Sequence, residues 1–304
     1  MEEGETSKKN WHDKHYKLLL LIPLILIVGS FIYIGLTYVN TGDFIYKDIS
    51  LTGGTSITIY DGNISLSDLE SDLSSSLEKL STKSLYEFGT NNQVAVVVET
   101  TLNPEEAKSI LENYLGYELI EGENSDITFT GSVLSESFYS QLLIAILIAF
   151  FFMAVVVFII FRSFVPSAVV IFSAFADILM TLAVVDVLGI KMSTAGIVAF
   201  LMLIGYSVDT DILLTTRILK RHEGSLNERT FGAFKTGMTM TLTSLFAVIV
   251  ALVIVQSFSV VLAQIFTILL IGLVFDMVNT WVTNVSILKW YVKKKEEIKD
   301  EIRV

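Results

Sequence analysis

The chain has 304 residues, of which 52% are hydrophobic and 17% are charged, and its formal net charge is −11. A soluble domain is roughly 25% charged, so this composition and a mean hydropathy of +0.63 argue against two soluble domains. Cysteine is absent, which excludes disulfide frameworks, thiolate metal sites and cysteine nucleophiles. The pI of 4.8 argues against nucleic-acid binding. The sequence therefore predicts no catalytic residue, no metal and no cofactor.

Six stretches are apolar and long enough, at about 20 residues, to cross a bilayer as helices. They cover residues 18–39, 142–161, 165–188, 194–216, 238–256 and 263–290. Lys and Arg concentrate before the first span, between the fourth and fifth spans and after the sixth. The positive-inside rule then predicts a multi-pass protein of the cytoplasmic membrane, with residues 1–17 and 291–304 in the cytoplasm. Residues 40–140 are predicted to be extracytoplasmic, and residues 141–290 to form spans two to six.

The long connection at residues 40–140 has the pattern of a small α+β domain. Strand patterns cover residues 51–60, 83–88, 93–99 and 126–133, a turn is predicted at 89–92, and helix patterns cover 65–80 and the segment after Asn103-Pro104. The order β-α-β-β-α-β is the ferredoxin-like arrangement. An open face or edge of such a sheet can receive an extended peptide, or the domain can simply be a packed ectodomain. Residues 40–139 hold 17 acidic and 4 basic side chains, so the acidity of the chain belongs to this domain.

Five acidic residues lie within the predicted spans, where ionisable groups are costly and usually mark a pathway or a partner. They are Asp177, Asp186, Asp209, Asp211 and Asp276. Asp209 and Asp211 are two positions apart, about 200° around a helix, and cannot both face one neighbour. No Lys or Arg lies deep in any span. These carboxyl groups can carry protons reversibly or can act as interhelical hydrogen-bond donors, whereas Asp186 lies near the outer end and can be hydrated.

Four motifs resemble the SecD/SecF family of protein-export membrane proteins. Residues 48–55 read Asp-Ile-Ser-Leu-Thr-Gly-Gly-Thr, similar to the motif after the first span, and residues 205–211 read Gly-Tyr-Ser-Val-Asp-Thr-Asp, similar to the SecF fourth-span motif. Residues 177–182 and 235–236 resemble the third-span segment and the start of the fifth span. The motif residues are Asp48, Gly53, Gly54, Thr55, Gly205, Tyr206 and Ser207.

The resemblance implies a SecF-type subunit, archaeal-like in its Asp-Thr-Asp form, built on half of a resistance-nodulation-division (RND) transporter bundle. It implies four partners: SecD, the Sec translocon channel subunits, the translocating polypeptide and the lipid membrane. It also implies coupling to the proton gradient, with Asp209 as the first candidate acid, Asp211 as the second, and Asp177 as a further one. Lys235 stands where the family often has Arg. Asp276 is a candidate from its position in the span alone.

Two other functions are compatible with parts of the sequence. An RND-type small-molecule exporter usually has twelve spans and two external loops, so this chain would need a second half. An intramembrane aspartyl protease needs aspartates on two spans, which the chain has, but it carries one in a Gly-x-Gly-Asp segment. The stretch before Asp209 is Gly-Tyr-Ser-Val, which argues against a protease.

Overall fold

The structure is a computed structural model that describes residues 19–87, 90, 92–220, 224–257 and 259–303. In chain order the elements are α1 (Leu21–Thr41), α2 (Ile49–Thr52), β1 (Gly54–Ile59), α3 (Leu66–Leu73), β2 (Ser81–Tyr86), β3 (Gln93–Thr100), α4 (Pro104–Leu115), β4 (Ser125–Thr130), α5 (Ser132–Phe161), α6 (Phe164–Val187), α7 (Thr194–Lys220), α8 (Leu226–Val255), α9 (Val260–Val278), a π-helical segment (Asn279–Asn284) and α10 (Val285–Arg303).

Six helical stretches in the described part of the chain are long and apolar enough to cross a membrane. The first five spans are α1, α5, α6, α7 and α8, and the sixth runs from α9 through the π segment into α10. The predicted six-span architecture is therefore confirmed. The third and fourth spans are the most buried of the six, so the interior of the bundle lies around them.

The domain between the first and second spans is a four-stranded antiparallel sheet in the order β2-β3-β1-β4. With α3 and α4 between the strands, this order confirms the ferredoxin-like prediction. Alternate residues of β1 and β3 point toward the two helices, and Ile57, Val98, Leu69 and Leu111 are fully buried between the layers. Helix α4 begins as its sequence predicts, because the Asn103 side chain accepts a hydrogen bond from the backbone N–H three residues later.

Several predicted element boundaries are wrong, and each has a local cause. The first strand starts at Gly54 rather than at residue 51, because the Asp48 carboxylate caps the short helix α2. Helix α3 ends at Leu73, although Leu77 beyond it is buried in the same core. The second span begins at Ser132, which removes residues 131–133 from the last strand. The turn predicted at 89–92 falls largely outside the described residues.

The sheet domain is joined closely to one end of the membrane bundle. The backbone N–H of Asp48 donates to the carbonyl of Met192, and that of Met192 donates to the carbonyl of Tyr46. Ala95 and Val97, on the sheet face away from α3 and α4, pack with Val260 at the start of the sixth span. Val260 thus partly covers the sheet face that was predicted to be open. Strands β2 and β4 form the two edges of the sheet.

Candidate functional site

Close contact between the fourth and sixth spans positions the central polar groups. A Cβ atom at Gly272 would lie 2.5 Å from the side chain of Leu203, so any larger residue there would force Leu203 to move. Asp276 lies one turn after Gly272, and Thr210 lies two turns after Leu203, on the same faces of their helices. The Thr210 hydroxyl consequently reaches the Asp276 carboxylate, 3.2 Å from Oδ2.

Asp177 of the third span is fully buried and accepts hydrogen bonds from two other spans. The Ser207 hydroxyl of the fourth span donates to Oδ2 at 2.6 Å, and the Asn279 amide of the sixth span donates to Oδ1 at 2.6 Å. Asp177 therefore joins the third, fourth and sixth spans at one point.

Asp211 of the fourth span is also fully buried and faces the sixth span. Its Oδ1 accepts a hydrogen bond from the Thr280 hydroxyl at 2.8 Å and another from the Asn284 amide. The Thr280 hydroxyl also lies 3.3 Å from Oδ1 of Asp276. Two buried acceptors, Oδ2 of Asp211 and Oδ1 of Asn284, have no hydrogen-bond partner within the described part of the chain.

The three carboxyl groups of Asp177, Asp211 and Asp276 thus form one buried polar site, here called the carboxyl cluster. The donors that reach them in the described part of the chain are hydroxyls and amides rather than Lys or Arg. Three negative charges are costly in a low-dielectric interior without a cation, and this cost makes the cluster the candidate functional site of the bundle. The three carboxyl groups are not arranged to hold one metal ion, and no group of three or more His, Cys, Asp or Glu side chains that could do so occurs among the described residues.

Sequence reasoning missed the contribution of the π-helical segment. Asn279, Thr280 and Asn284 supply three of the side chains that hold the carboxyl groups. The sequence does contain an indication of this contribution. The three residues follow Asp276 at three, four and eight positions, a spacing that places them on the same helix face. A π turn widens the helix locally and often lies at a functional site, but its presence cannot be read from this spacing.

The structure separates two predicted coupling residues from the carboxyl cluster. Asp209 is exposed on the outer face of the fourth span, beside the exposed motif residues Gly205 and Tyr206. This matches the angular separation expected between Asp209 and Asp211. Lys235 is exposed near the start of the fifth span. The roles of these residues in coupling stay predictions.

Other polar positions in the spans have separate locations. Asp186 is buried nine residues along the third span from Asp177, about 13 Å nearer the sheet domain. In the fifth span, the hydroxyls of Thr236, Thr239 and Thr243 donate to carbonyls four residues earlier in their own helix. These three hydroxyls are therefore satisfied within their own helix rather than by the carboxyl cluster. The helix of the fifth span, Leu226–Val255, begins twelve residues before the span predicted at 238–256.

The motif at residues 48–55 connects the sheet domain to the fourth span. Asp48 accepts hydrogen bonds from both the backbone N–H and the hydroxyl of Ser50, at 2.8 and 2.6 Å. The same hydroxyl accepts a hydrogen bond from the backbone N–H of Thr194, the first residue of the fourth span, at 2.9 Å. Burial raises the pKa of Asp48 from 3.8 to about 6, while the Ser50 hydrogen bonds oppose the rise and the nearby Glu99 carboxylate adds to it.

The glycine pair of this motif is required by the backbone. Gly54 has φ +144°, and a Cβ atom there would lie 2.3 Å from the Thr100 carbonyl oxygen. Gly53 has φ +84°, and its Cβ would lie 2.4 Å from the backbone of Ser132, where the second span begins. Thr55 is buried, and its hydroxyl donates to the Leu102 carbonyl at 2.7 Å. These residues therefore shape the junction between sheet and bundle.

Fold and site together define a six-span membrane protein with a ferredoxin-like domain after its first span and a carboxyl cluster shared by three spans. The sequence profile described as "Protein export membrane protein SecD/SecF, C-terminal" matches residues 114–294. The chain belongs to this SecD/SecF family, which confirms the resemblance seen in the motifs and favours an export function over the small-molecule exporter and the protease.

Two similar proteins place the chain in the SecF branch of the family. It is 38% identical over 288 residues to "Protein-export membrane protein SecF" of Methanocaldococcus jannaschii, covering 92% of this chain and 96% of the relative. It is 38% identical over 281 residues to the protein of that name from Methanolacinia petrolearia, covering 91% and 94%. These two relatives are archaeal, as the Asp-Thr-Asp motif indicated.

A solved structure shares the fold. The crystal structure of SecDF from Thermus thermophilus, described as a translocon-associated membrane protein, matches with a TM-score of 0.73 at 19% identity. The match covers 92% of this chain but only 38% of the SecDF chain. The present chain thus corresponds in fold to less than half of that protein.

Proposed function

We propose that the chain is the SecF subunit of a SecDF complex that assists the Sec translocon, and that protons moving through the carboxyl cluster drive its movements. The observation that carries the proposal is the burial of Asp177, Asp211 and Asp276 with hydroxyl and amide donors. Carboxyl groups of this kind inside a membrane protein usually belong to an ion or proton pathway.

The hydrogen bonds suggest how proton uptake changes the contacts between spans. Oδ2 of Asp211 and Oδ1 of Asn284 are buried acceptors without a donor among the described residues, and a proton on Asp211 would supply one. The Thr280 hydroxyl lies between Asp211 and Asp276 and can donate to only one of them at a time. A change of charge on either acid therefore shifts this hydroxyl and the contact between the fourth and sixth spans.

The same helix carries the movement to the sheet domain. The fourth span begins at Thr194, whose backbone N–H is held by the Ser50 hydroxyl at the base of the domain. A displacement of this span along its axis would therefore move the base of the sheet. In the proposed orientation, which follows from the positive-inside rule, the sheet domain lies outside and contacts the translocating polypeptide, while both termini lie in the cytoplasm.

The exposed face of the fourth span is proposed to contact SecD. Tyr206 is 44% exposed, and Asp209 is exposed on the same face. A carboxyl group facing lipid at this depth is unfavourable, so a neighbouring protein surface gives it a better environment. The low coverage of the solved SecDF chain is consistent with a second set of spans beside this one.

The proton pathway is tested by comparing two aspartates of the fourth span in a host that lacks its own copy of the gene. Asp211→Asn is expected to reduce secretion of a reporter protein to the level of the deletion strain, while the variant still co-purifies with SecD. Asp209→Asn, at the proposed SecD contact, is the comparison and is expected to lower secretion less than Asp211→Asn does, because the residue lies outside the carboxyl cluster. The reverse order of the two variants would contradict the role assigned to the cluster.

The SecD contact is tested separately by cross-linking in native membranes. The chain has no cysteine, so a single Tyr206→Cys substitution can carry a benzophenone maleimide. This probe is expected to cross-link SecD, whereas the same probe at Phe152→Cys, on the lipid-exposed second span, is not. Equal labelling from both positions would remove the proposed contact without affecting the proton pathway.

A further inference from the structure

Three spans each carry a polar side chain about one helical turn beyond the carboxyl cluster, on the side away from the sheet domain. These side chains are Ser173, Thr215 and Asn284 of the third, fourth and sixth spans, here called the polar ring. In their own spans they lie four residues from Asp177, Asp211 and Thr280, respectively. Four residues correspond to about 6 Å along a helix, so the polar ring forms the next level of the bundle.

The members of the polar ring converge on Asp211. The Asn284 amide donates a hydrogen bond to Oδ1 of Asp211, and the Ser173 hydroxyl lies beside the same carboxylate. Thr215 lies on the Asp211 face of the fourth span, because residues four apart share a helix face. All four residues are fully buried. Asp211 thus connects the carboxyl cluster to the polar ring.

Each of these four residues has an oxygen atom without a hydrogen bond to any other group in the described part of the chain. The atoms are the hydroxyls of Ser173 and Thr215, Oδ2 of Asp211 and Oδ1 of Asn284. Buried polar atoms of proteins nearly always have a partner, and ordered water is the usual partner where no protein group reaches them. Four such atoms from three spans at one level of the bundle therefore indicate a shared water site.

We propose that the polar ring holds water molecules that carry protons between the carboxyl cluster and the cytoplasmic end of the bundle. The proton and the orientation are those of the proposed function, on which this inference rests. The Asp211 carboxyl group gives its proton to a water of the ring and is left as a carboxylate. The hydronium ion formed passes one proton to the next water, so one proton leaves the cluster for each carboxylate formed.

The hydrogen-bonding groups of the polar ring suit water better than a metal cation. The free oxygens of Asp211 and Asn284 accept hydrogen bonds, whereas the hydroxyls of Ser173 and Thr215 can both donate and accept. Water can serve both kinds of partner at once. A sodium ion would require both hydroxyls to turn their protons away from it, toward other acceptors. The polar ring therefore favours water.

An apolar layer separates the polar ring from the cytoplasmic end of the bundle. Ile218, Val285 and Leu288 lie three, one and four residues beyond members of the ring and are buried in one apolar cluster. A proton that reaches the ring is therefore released only when the spans move apart at this layer. Transporters that open alternately to the two sides of a membrane close one side by such packing.

Gradient-driven export into inverted membrane vesicles tests the polar ring separately from the carboxyl cluster. The double variant Ser173→Ala with Thr215→Val removes both hydroxyls and leaves the three carboxyl groups in place. It is expected to lose the acceleration that a proton gradient gives to the wild type. Thr267→Val is the matched control and retains the acceleration, because the Thr267 hydroxyl donates to the Ala263 carbonyl of its own helix at 2.8 Å.

Two single variants separate the hydroxyl chemistry from packing. Thr215→Val keeps the size of the side chain and removes the hydroxyl, whereas Thr215→Ser keeps the hydroxyl and removes a methyl group. Thr215→Ser is expected to retain more of the acceleration than Thr215→Val. The reverse order would show that the position only packs, and would overturn the proposal.

The outcomes distinguish this inference from the proposed function. Retained acceleration in the double variant, together with its loss in Asp211→Asn, would remove the polar ring alone. Retained acceleration in Asp211→Asn would remove both proposals. Loss of the wild-type acceleration in sodium-free buffer would show that the ring holds a cation, and would overturn the assignment to water.

Discussion

The junction between the sheet domain and the bundle should loosen as pH rises, because it buries the carboxyl group of Asp48. Its pKa is about 6 in the folded junction, against 3.8 when it is exposed. The junction is then most stable below pH 4 and loses stability as pH rises through 6. The difference corresponds to roughly 3 kcal/mol, or about a hundredfold in the opening equilibrium. Asp48→Asn keeps an oxygen that can accept the Ser50 hydrogen bonds and removes the charge, so its junction should be equally stable at both pH values.

Hydrogen–deuterium exchange of peptides covering residues 46–53 and 190–196 measures this opening, after correction for intrinsic exchange rates. The wild type should show lower protection at pH 7.5 than at pH 4.5, and Asp48→Asn should show none of this difference. Asp43→Asn is the matched control, because Asp43 pairs with Lys47 at the surface at 2.9 Å, and it should behave as the wild type. A pH dependence that persists in Asp48→Asn would refute the reasoning.

Two further predictions concern packing and the carboxyl cluster. Gly54→Ala should destabilise the sheet domain by roughly 2–5 kcal/mol, since its Cβ meets the Thr100 carbonyl at an unfavourable φ. Thermal unfolding measures this loss of stability. The control is Gly122→Ala, where nothing lies within 4 Å of the added Cβ, and it should cost only about 1–2 kcal/mol. Thr280→Val should reduce reporter secretion because it removes the donor shared by two carboxyl groups, whereas Thr239→Val, whose hydroxyl serves only its own helix, should secrete normally.

Much of the architecture follows from the sequence because its patterns are strong. Six apolar stretches and the strand-helix order of residues 40–140 predict the observed spans and sheet. The helix boundaries are less accurate, because Leu77 follows the apolar spacing of α3 but reaches the core from a turn. The apolar spacing reflects burial in the core, and a residue can be buried without being helical. The spacing therefore does not show where the helix ends.

The site was only partly predictable for a geometric reason. The sequence shows that Asp209 and Asp211 face different directions, but only packing decides which one enters the bundle. The contact between Leu203 and Gly272 brings the fourth and sixth spans together, and Asp211 is the aspartate that then faces the sixth span. No family motif includes Asp276, so only its position in the span makes it a candidate, although the polar residues at three, four and eight positions beyond it mark one helix face.

Gradient-driven export is the sharpest test of whether protons act through the carboxyl cluster. Inverted membrane vesicles carrying either the wild type or Asp211→Asn would be given a proton gradient or a sodium gradient, and the rate at which a reporter polypeptide completes its translocation would be measured. The proton gradient is expected to accelerate the wild type but not Asp211→Asn. Equal acceleration of both proteins, or acceleration of the wild type by sodium alone, would contradict it.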